Sequence, residues 1–260
     1  MGKIVLLANA ASGKDVRRLV ARASVFDNQE KRAIIRRAIV GAISAGAREF
    51  VYHNDAHGIA QQALDEFGSD ISATAVDSTQ MTSALDTISA ARAMRDQDCD
   101  VVMTLGGDGT NRAFCLGWQD APLLPISTGT NNVFPSMREA TIAGAAAGLI
   151  ASGQISTDLL VQQKCISVSI DGERDDLALI DALLTNERFV GARALLKPHQ
   201  FRSALLTRAE PAAVGITSIG GLLNCVDATD DHGLWLEFGN GGDMVRAPIA
   251  PGYYPVSYTH

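Results

Sequence analysis

The sequence predicts an α/β N-terminal domain, a parallel sheet flanked by helices, followed by a β-rich domain of antiparallel sheet or sandwich type. Short apolar runs alternate with helical patterns through the first 153 residues. This alternation predicts a parallel sheet with helices on both faces. From Ser156 the pattern changes to period-two alternation, which favours antiparallel strands. We therefore expect two domains, 1–153 and 154–260, with the boundary at Gly153.

Composition excludes several classes of protein. The chain has 260 residues, a formal charge of -7, 47% apolar residues and 20% charged residues, which is typical of a globular protein with a sizeable core. The acidic balance argues against a nucleic-acid partner. No apolar run reaches membrane-spanning length, and the N-terminal apolar run is too short for a signal peptide, so we expect a cytoplasmic protein without a membrane partner. The cysteines form no CxxC pair and are expected to be free thiols: Cys99, Cys115, Cys165 and Cys225.

The first strand, Lys3–Ala8, leads into a Gly/Ser turn that includes Asn9, Ser12 and Gly13. This turn is not a P-loop, because Ala8 stands where the first glycine belongs and Asp15 where the Mg²⁺-binding hydroxyl belongs. A turn of this kind after a strand can still lie beside a phosphate, with Lys14 in reach. The alternative is a plain βα turn with an exposed lysine.

The next elements continue the alternation. Helices are expected over 28–45, 59–67 and 81–95, and strands over 49–53, 71–76 and 99–105. In the first of these helices the apolar residues fall on one face, and the basic residues are expected on a solvated face: Lys31, Arg32, Arg36 and Arg37. His53 and His57 are four residues apart, but intervening loop residues favour loop or cap positions over a metal site.

The chain is organised around the glycine-rich stretch of residues 105–112, LGGDGTNR, which follows a buried strand. Glycine permits positive φ and close approach of a ligand to the backbone. Thr110 and Asn111 can cap the helix that follows. A strand, a glycine turn and a helix N-terminus together gather N–H groups around an anion. Asp108 at the centre would repel a phosphate unless Mg²⁺ intervenes or Asp108 takes a proton from an attacking hydroxyl; the alternative is a tight turn with a capping Asp.

A second polar turn follows the next short strand, 122–126. It is rich in hydroxyls and amides, which can hold phosphates or ribose hydroxyls, and it contains Thr128, Gly129, Thr130, Asn131 and Asn132. Two such turns about twenty residues apart, each after a strand, place polar groups at the same edge of the sheet, where ligands bind.

The remaining elements are packing elements in this interpretation. Small residues over 139–152 predict a helix that packs closely. Asp171-Gly172 predicts a hairpin turn. Further strands are expected over 164–170, 176–184, 207–223 and 234–238.

GGDGT followed by a strand and S-T-G-T-N-N resembles the NAD kinase and diacylglycerol kinase superfamily, most closely the ATP-NAD kinase-like group of the AcoX type, linked to acetoin catabolism. The Asn9–Gly13 turn is similar to the N-P-x-S-G turn of the lipid kinases, although Ala10 replaces proline. The resemblance covers residues 1–160 well and the remainder loosely. It implies a nucleotide site in a cleft between the two domains, nucleotide partners and a homo-oligomer.

Carried over to this chain, the resemblance implies that Gly106, Gly107 and Gly109 face the phosphates and that Thr110 follows as in the motif. Asp108 is implied to be the general base or the organiser of Mg²⁺. The residues matching the second nucleotide-contacting turn are Thr128, Gly129, Thr130, Asn131 and Asn132. Asn186-Glu187 resembles the pair with which NAD kinases hold the nucleoside part of the substrate; the alternative is a polar turn after a strand.

Two departures from the family pattern concern the second half. Residues 216–221, ITSIGG, match the Gly/Asp-rich and Thr/Ser-rich stretch of NAD kinases poorly, which puts NAD as the acceptor in doubt. The chain also stops in mid-pattern, and its last five residues resemble a translated cloning or sequencing-adaptor scar, so we expect a truncated C-terminus.

Three functions remain open from the sequence. The first is a small-molecule kinase that transfers a phosphoryl group from ATP, or another donor such as polyphosphate, with Mg²⁺, to a hydroxyl of an acceptor such as NAD, which would place it in NADP biosynthesis. The second is a nucleotide-binding accessory or regulatory protein of acetoin catabolism. The third is an α/β domain whose glycine turns are only structural.

Overall fold

The computed structural model of the protein describes residues 2–13, 26–79, 81, 83–129, 131–188 and 197–260. The described residues form two compact units. The first contains those up to 129 together with 134–160, and the second contains 131–133 together with those from 161 onward. The domain limits 1–153 and 154–260 stay a prediction.

The first unit is an alternating α/β structure, as the sequence predicts. Its strands are β1 Lys3–Ala8, β2 Glu49–His53, β3 Ser72–Val76, β4 Val101–Gly106 and β5 Leu123–Ser127. Its helices are α1 Asn28–Ser44, α2 Ile59–Asp65, α3 Ala84–Arg95, α4 Asp108–Gly117 and α5 Ala140–Ala151, with short 3₁₀ turns at Gly68–Asp70 and Thr157–Leu159.

The five strands form one parallel sheet in the order β3-β2-β1-β4-β5. The chain builds outward from β1 to β3 and then crosses back to β4 on the other side of β1. Leu6 pairs with Met103, and Gly106 pairs with Ser127. The strand order reverses between β1 and β4, which is where open α/β sheets bind ligands, at the carboxyl ends of the strands.

Each face of the sheet buries its own apolar cluster. Ile4, Leu6 and Met103 pack with α1, α2 and α5 on one face, whereas Val5 and Leu7 pack with α3 and α4 on the other. The small residues of α5 serve close packing, as predicted: a side chain at Gly144 would collide with the Ala38 backbone of α1.

The second unit is built from antiparallel strands. A four-stranded sheet has the order β11-β10-β9-β8, and a separate hairpin pairs β6 with β7. The bounds are β6 Ile166–Val168, β7 Asp176–Ala178, β8 Asp181–Thr185, β9 Phe201–Leu206, α6 Ile216–Leu223, β10 Leu234–Arg246 and β11 Val256–Thr259, with a 3₁₀ turn at Pro198–Gln200. Gly172 (φ +80°) lies in the loop between β6 and β7, as the Asp-Gly signal predicts.

Two expectations for this half are wrong. The stretch 176–184 is two strands, β7 and β8. The stretch 207–223 is not a strand: β9 ends at Leu206, and 216–223 form helix α6. Gly220 and Gly221 make the helix possible, because side chains there would collide with Leu206 and with the backbone at Glu210–Pro211.

No helix within the described ranges combines the length and apolar character needed to cross a bilayer.

Candidate functional site

Asp108 is the first residue of α4, directly after β4. Gly107 (φ −108°, ψ −170°) is the N-cap and contributes no side chain. The half-buried Asp108 carboxylate accepts a hydrogen bond at Oδ1 from the Phe134 N–H, at 2.8 Å. The backbone of the loop after β5 thus helps to hold this carboxylate at the positive end of a helix.

The helix begins earlier than the sequence predicts. Thr110 and Asn111, expected as caps, lie inside the first turn, and their N–H groups donate to the Gly107 carbonyl at 3.0 and 3.2 Å. Gly107, not Thr110 or Asn111, is the N-cap residue: its backbone is extended, and no side chain caps the helix.

The glycines of this turn have different surroundings. A side chain at Gly106 would collide with Thr110, so packing within the protein already requires glycine there. A side chain at Gly109 would meet no protein atom within 4 Å among the described residues. Open space therefore adjoins the backbone of α4 one residue after Asp108, where the unpaired N–H groups of a helix N-terminus lie.

Asn111 fixes the turn to the strand that precedes it. Its side chain is fully buried, accepts a hydrogen bond from Thr104 Oγ1 at 2.6 Å and donates from Nδ2 to the Gly107 carbonyl at 3.0 Å. The side-chain amide of Asn111 thus connects β4, through Thr104, to the N-cap residue of α4, Gly107. The sequence singled out Asn111 only as a cap.

The turn after β1 contacts the turn after β4. The Asn9 N–H donates to the Leu105 carbonyl at 3.0 Å, and Asn9 Nδ2 donates to Thr110 Oγ1 at 2.8 Å. Gly13 has φ +70°, and a side chain there would lie 2.7 Å from the Thr128 carbonyl oxygen. Glycine is therefore required at this position.

The turn after β5 completes the group. Ser12 Oγ donates to the Asn9 carbonyl at 2.7 Å and is hydrogen-bonded to Thr128 Oγ1 at 2.8 Å. The Thr128 N–H donates to the Gly106 carbonyl at 3.2 Å, and Ser127 Oγ donates to the Gly129 carbonyl at 2.7 Å. The structure thus brings together all of the predicted site residues of the first unit: Asn9, Ser12, Gly13, Gly106, Gly107, Asp108, Gly109, Thr110, Thr128 and Gly129.

The other predicted residues belong to the second unit or lie outside the described residues. Thr130 and Lys14 lie outside the described residues. Asn131 and Asn132 are half-buried members of the second unit. Asn186 and Glu187, also in that unit, follow β8: their N–H groups donate to the Gln200 carbonyl at 2.9 Å and to Thr185 Oγ1 at 3.1 Å. The nucleotide-binding role of these residues stays a prediction.

Two residues near the carboxyl ends of β1 and β2 differ from expectation. Lys31 is fully buried and contacts the Asn9–Ser12 turn, so its assignment to a solvated face is wrong. Lys31 lies three residues before Ile34 and four before Ile35, a spacing that places it on the same, buried face of the helix. This spacing is the sequence signal that could have predicted its burial. His53 is buried at the end of β2, with Nε2 2.7 Å from Ser78 Oγ. Burial lowers the pKa of His53, while Asp55 and Asp86 oppose that shift.

Comparisons with known proteins point to one family. Residues 17–155 match the ATP-NAD kinase N-terminal domain, and residues 164–257 match the acetoin catabolism protein X C-terminal domain. Acetoin catabolism protein X of Cupriavidus necator is 36% identical over 262 aligned positions, and the alignment covers 95% of this chain and 73% of that protein. The chain belongs to this ATP-NAD kinase-like family. The family resemblance expected from GGDGT and S-T-G-T-N-N is therefore confirmed.

Solved structures are only distantly similar to this family member. UDP-GlcNAc 2-epimerase from Neisseria meningitidis bound to UDP-GlcNAc is 14% identical with a TM-score of 0.34, over 63% of this chain and 46% of that chain. A diacylglycerol kinase from Bacillus anthracis is 13% identical with a TM-score of 0.33, over 99% and 92% of the two chains. A putative diacylglycerol kinase from the same organism is 16% identical with a TM-score of 0.30, over 71% and 45%. These values support no argument about function.

Proposed function

We propose that the protein is a small-molecule kinase that transfers a phosphoryl group from a nucleoside triphosphate, such as ATP, to a hydroxyl group of its acceptor. One observation carries the proposal: a half-buried carboxylate, Asp108, stands at the N-terminus of α4 beside an open stretch of backbone at Gly109. A carboxylate at an anion-binding helix end is useful where a hydroxyl must lose a proton next to a phosphate.

In the proposed reaction the phosphates bind to N–H groups at the N-terminus of α4 and in the turn after β1. The acceptor oxygen forms a bond to the γ-phosphorus, and the bond from that phosphorus to the β,γ-bridging oxygen breaks. Asp108 receives the proton of the acceptor hydroxyl, and the nucleoside diphosphate leaves with the electron pair. The protein mainly positions the reactants and stabilises developing charge.

The donor set is compatible with Mg²⁺. This ion is usually held by one or two carboxylates together with substrate phosphates and water. An ionised carboxylate accepts at about four positions, and the Phe134 N–H orients Asp108 at one of them. In the alternative in which Asp108 organises Mg²⁺ instead of acting as the base, its carboxylate would hold the ion, which when bound would neutralise charge on the phosphates. NAD is the leading acceptor, because the first half of the chain matches the ATP-NAD kinase N-terminal domain.

The test is the substitution Asp108→Asn in an assay with Mg²⁺, ATP and NAD. We expect turnover to fall by about 10²- to 10⁴-fold, the usual contribution of a general base, while ATP affinity changes little. Asp120→Asn, at an exposed position after α4, is the matched control and should retain full turnover. Unchanged turnover in Asp108→Asn contradicts the proposed role.

A second candidate is a nucleotide-binding accessory protein of acetoin catabolism, which the name of the Cupriavidus necator relative favours. This candidate predicts that the wild-type protein binds ATP or NAD but phosphorylates no member of a panel of hydroxyl acceptors. Absence of any nucleotide affinity would leave only a structural role for the glycine turns.

A further inference from the structure

Lys31 is a fully buried cation on α1 whose Nζ donates hydrogen bonds to oxygen atoms of the turn after β1 and of Asn28. Its Nζ donates to the carbonyl oxygens of Asn9 and Ala10 at 3.0 Å each and of Ser12 at 2.7 Å, with Asn28 Oδ1 at 3.3 Å. A neutral amine has two N–H groups and an ammonium has three. Donation to three carbonyls therefore requires the charged form.

A buried ammonium is costly unless its desolvation is compensated by hydrogen bonds. Here part of the compensation comes from three carbonyls of a single turn, which all accept hydrogen bonds from the same ammonium group. The turn is consequently fixed by a charge as well as by its hydrogen bonds to Leu105, Thr110 and Thr128.

This arrangement determines where the N–H groups of the turn point. In a planar trans peptide the N–H lies opposite the C=O of the same unit. The Asn9 carbonyl shares its peptide unit with the Ala10 N–H, and the Ser12 carbonyl shares its unit with the Gly13 N–H. Both N–H groups therefore point away from Lys31.

These two N–H groups make no hydrogen bond to the described part of the chain, whereas the Ala11 N–H donates to Asn9 Oδ1 at 2.9 Å. Ala10 and Gly13 are both half-buried. Backbone N–H groups of a turn that have no protein partner can each donate to an oxygen of an anion. We propose that Lys31 is a positioning residue that holds the Ala10 and Gly13 N–H groups in place to bind the phosphates of the nucleotide.

This inference rests on the phosphate site of the proposed function, and it is tested by binding instead of turnover. Tripolyphosphate is the probe, since it carries the phosphate chain without base or sugar. We expect Lys31→Met to weaken tripolyphosphate binding about 10- to 100-fold, as misplacement of binding groups by about an ångström does. Arg36→Met removes one exposed charge from the same helix and should leave affinity within about twofold. Equal affinity in Lys31→Met and the wild type overturns the inference.

A second measurement needs no variant and covers the case in which Lys31→Met does not fold. In the ¹⁵N-labelled full chain, tripolyphosphate should shift the amide resonances of Ala10 and Gly13 more than that of Ala11. Equal shifts of the three resonances contradict the inference, because the Ala11 N–H is already bonded to Asn9 Oδ1. Binding of tripolyphosphate without kinase turnover would overturn the proposed reaction and leave this inference standing. Failure of the wild type to bind tripolyphosphate would overturn the inference, whatever the turnover assay shows.

Discussion

Thr104 and Asn111 form a buried pair that connects β4 to the first turn of α4, with 2.6 Å between Thr104 Oγ1 and Asn111 Oδ1. Neither side chain is exposed to solvent. A buried acceptor that loses its donor keeps the cost of desolvation without the hydrogen bond. The consequences of removing the hydroxyl should therefore appear both in stability and at the site.

We expect Thr104→Val to reduce the free energy of unfolding by about 1–3 kcal/mol, because valine has the same shape but leaves Asn111 Oδ1 without this donor. Urea unfolding measures the effect. The same substitution at Thr74, exposed on β3, is the control and should change stability by less than about 0.5 kcal/mol. Equal effects at the two positions would show that the pair contributes nothing.

His53 makes stability depend on pH in a defined direction. Burial lowers its pKa below the ordinary value of 6.5, so the folded protein binds this proton at a lower pH than the unfolded chain does. The contribution of His53 is thus fully present above pH 6.5 and is lost as pH falls below it. We expect the melting temperature to decrease between pH 7 and pH 5.

The matched variants are His53→Gln, which should reduce this pH dependence, and His57→Gln, which should preserve it because His57 is exposed in the adjacent loop. Melting curves of the three proteins at pH 5, 6 and 7 decide the matter. If the melting temperature of His53→Gln depends on pH as steeply as that of the wild type, the pH dependence comes from other groups.

At the scale of elements, helices α1 and α5 approach each other closely through glycine. Gly144 of α5 lies against the backbone of Ala38, and Gly41 of α1 lies against the backbone of Thr141. Such contacts let two helices pack on the same face of the sheet, beneath which Ile4, Leu6 and Met103 are buried. The small residues of α5 that face α1, such as Gly144 and Gly148, therefore have a packing role.

Replacement of glycine by alanine inside a helix normally stabilises by about 1 kcal/mol. At Gly144 we expect the opposite sign, a loss of about 1–3 kcal/mol on Gly144→Ala, because the added carbon forces α5 away from α1. Thermal unfolding measures it. Ala146→Val enlarges an exposed position of the same helix and should cost no more than about 0.5 kcal/mol. A stabilising Gly144→Ala would show that the two helices separate freely.

At the scale of the whole molecule, the proposed nucleotide site links ligand binding to unfolding. A ligand that binds only the folded protein at 100 times its dissociation constant stabilises it by about 2.7 kcal/mol. We expect ATP to raise the melting temperature of the full chain, and NAD to do so if it is the acceptor. Inorganic sulfate at equal ionic strength is the control, and equal shifts with sulfate and ATP would indicate a general salt effect.

The fold of the first unit follows from the sequence because buried parallel strands are continuous apolar runs, and each is followed by an amphipathic helix. The turn glycines and Asp108 could likewise be placed from their spacing after β4. The helical state of 216–223 could not, since Gly220 and Gly221 weaken any helical pattern and only contacts with Leu206 and Glu210 favour it. Lys31 was missed because its charge suggested solvent, while the carbonyls that bind it belong to a turn about twenty residues earlier in the chain.

The hydrogen bonds of Ser12 and Thr128 determine which of the two hydroxyls donates its proton to the other. Ser12 has one hydroxyl proton and donates it to the Asn9 carbonyl, so the proton between Ser12 and Thr128 must come from Thr128. Thr128 then has no proton to offer any other group. Because Thr128 is buried, its hydroxyl is committed to joining the turn after β5 to the turn after β1, and it has no proton to offer to a phosphate oxygen.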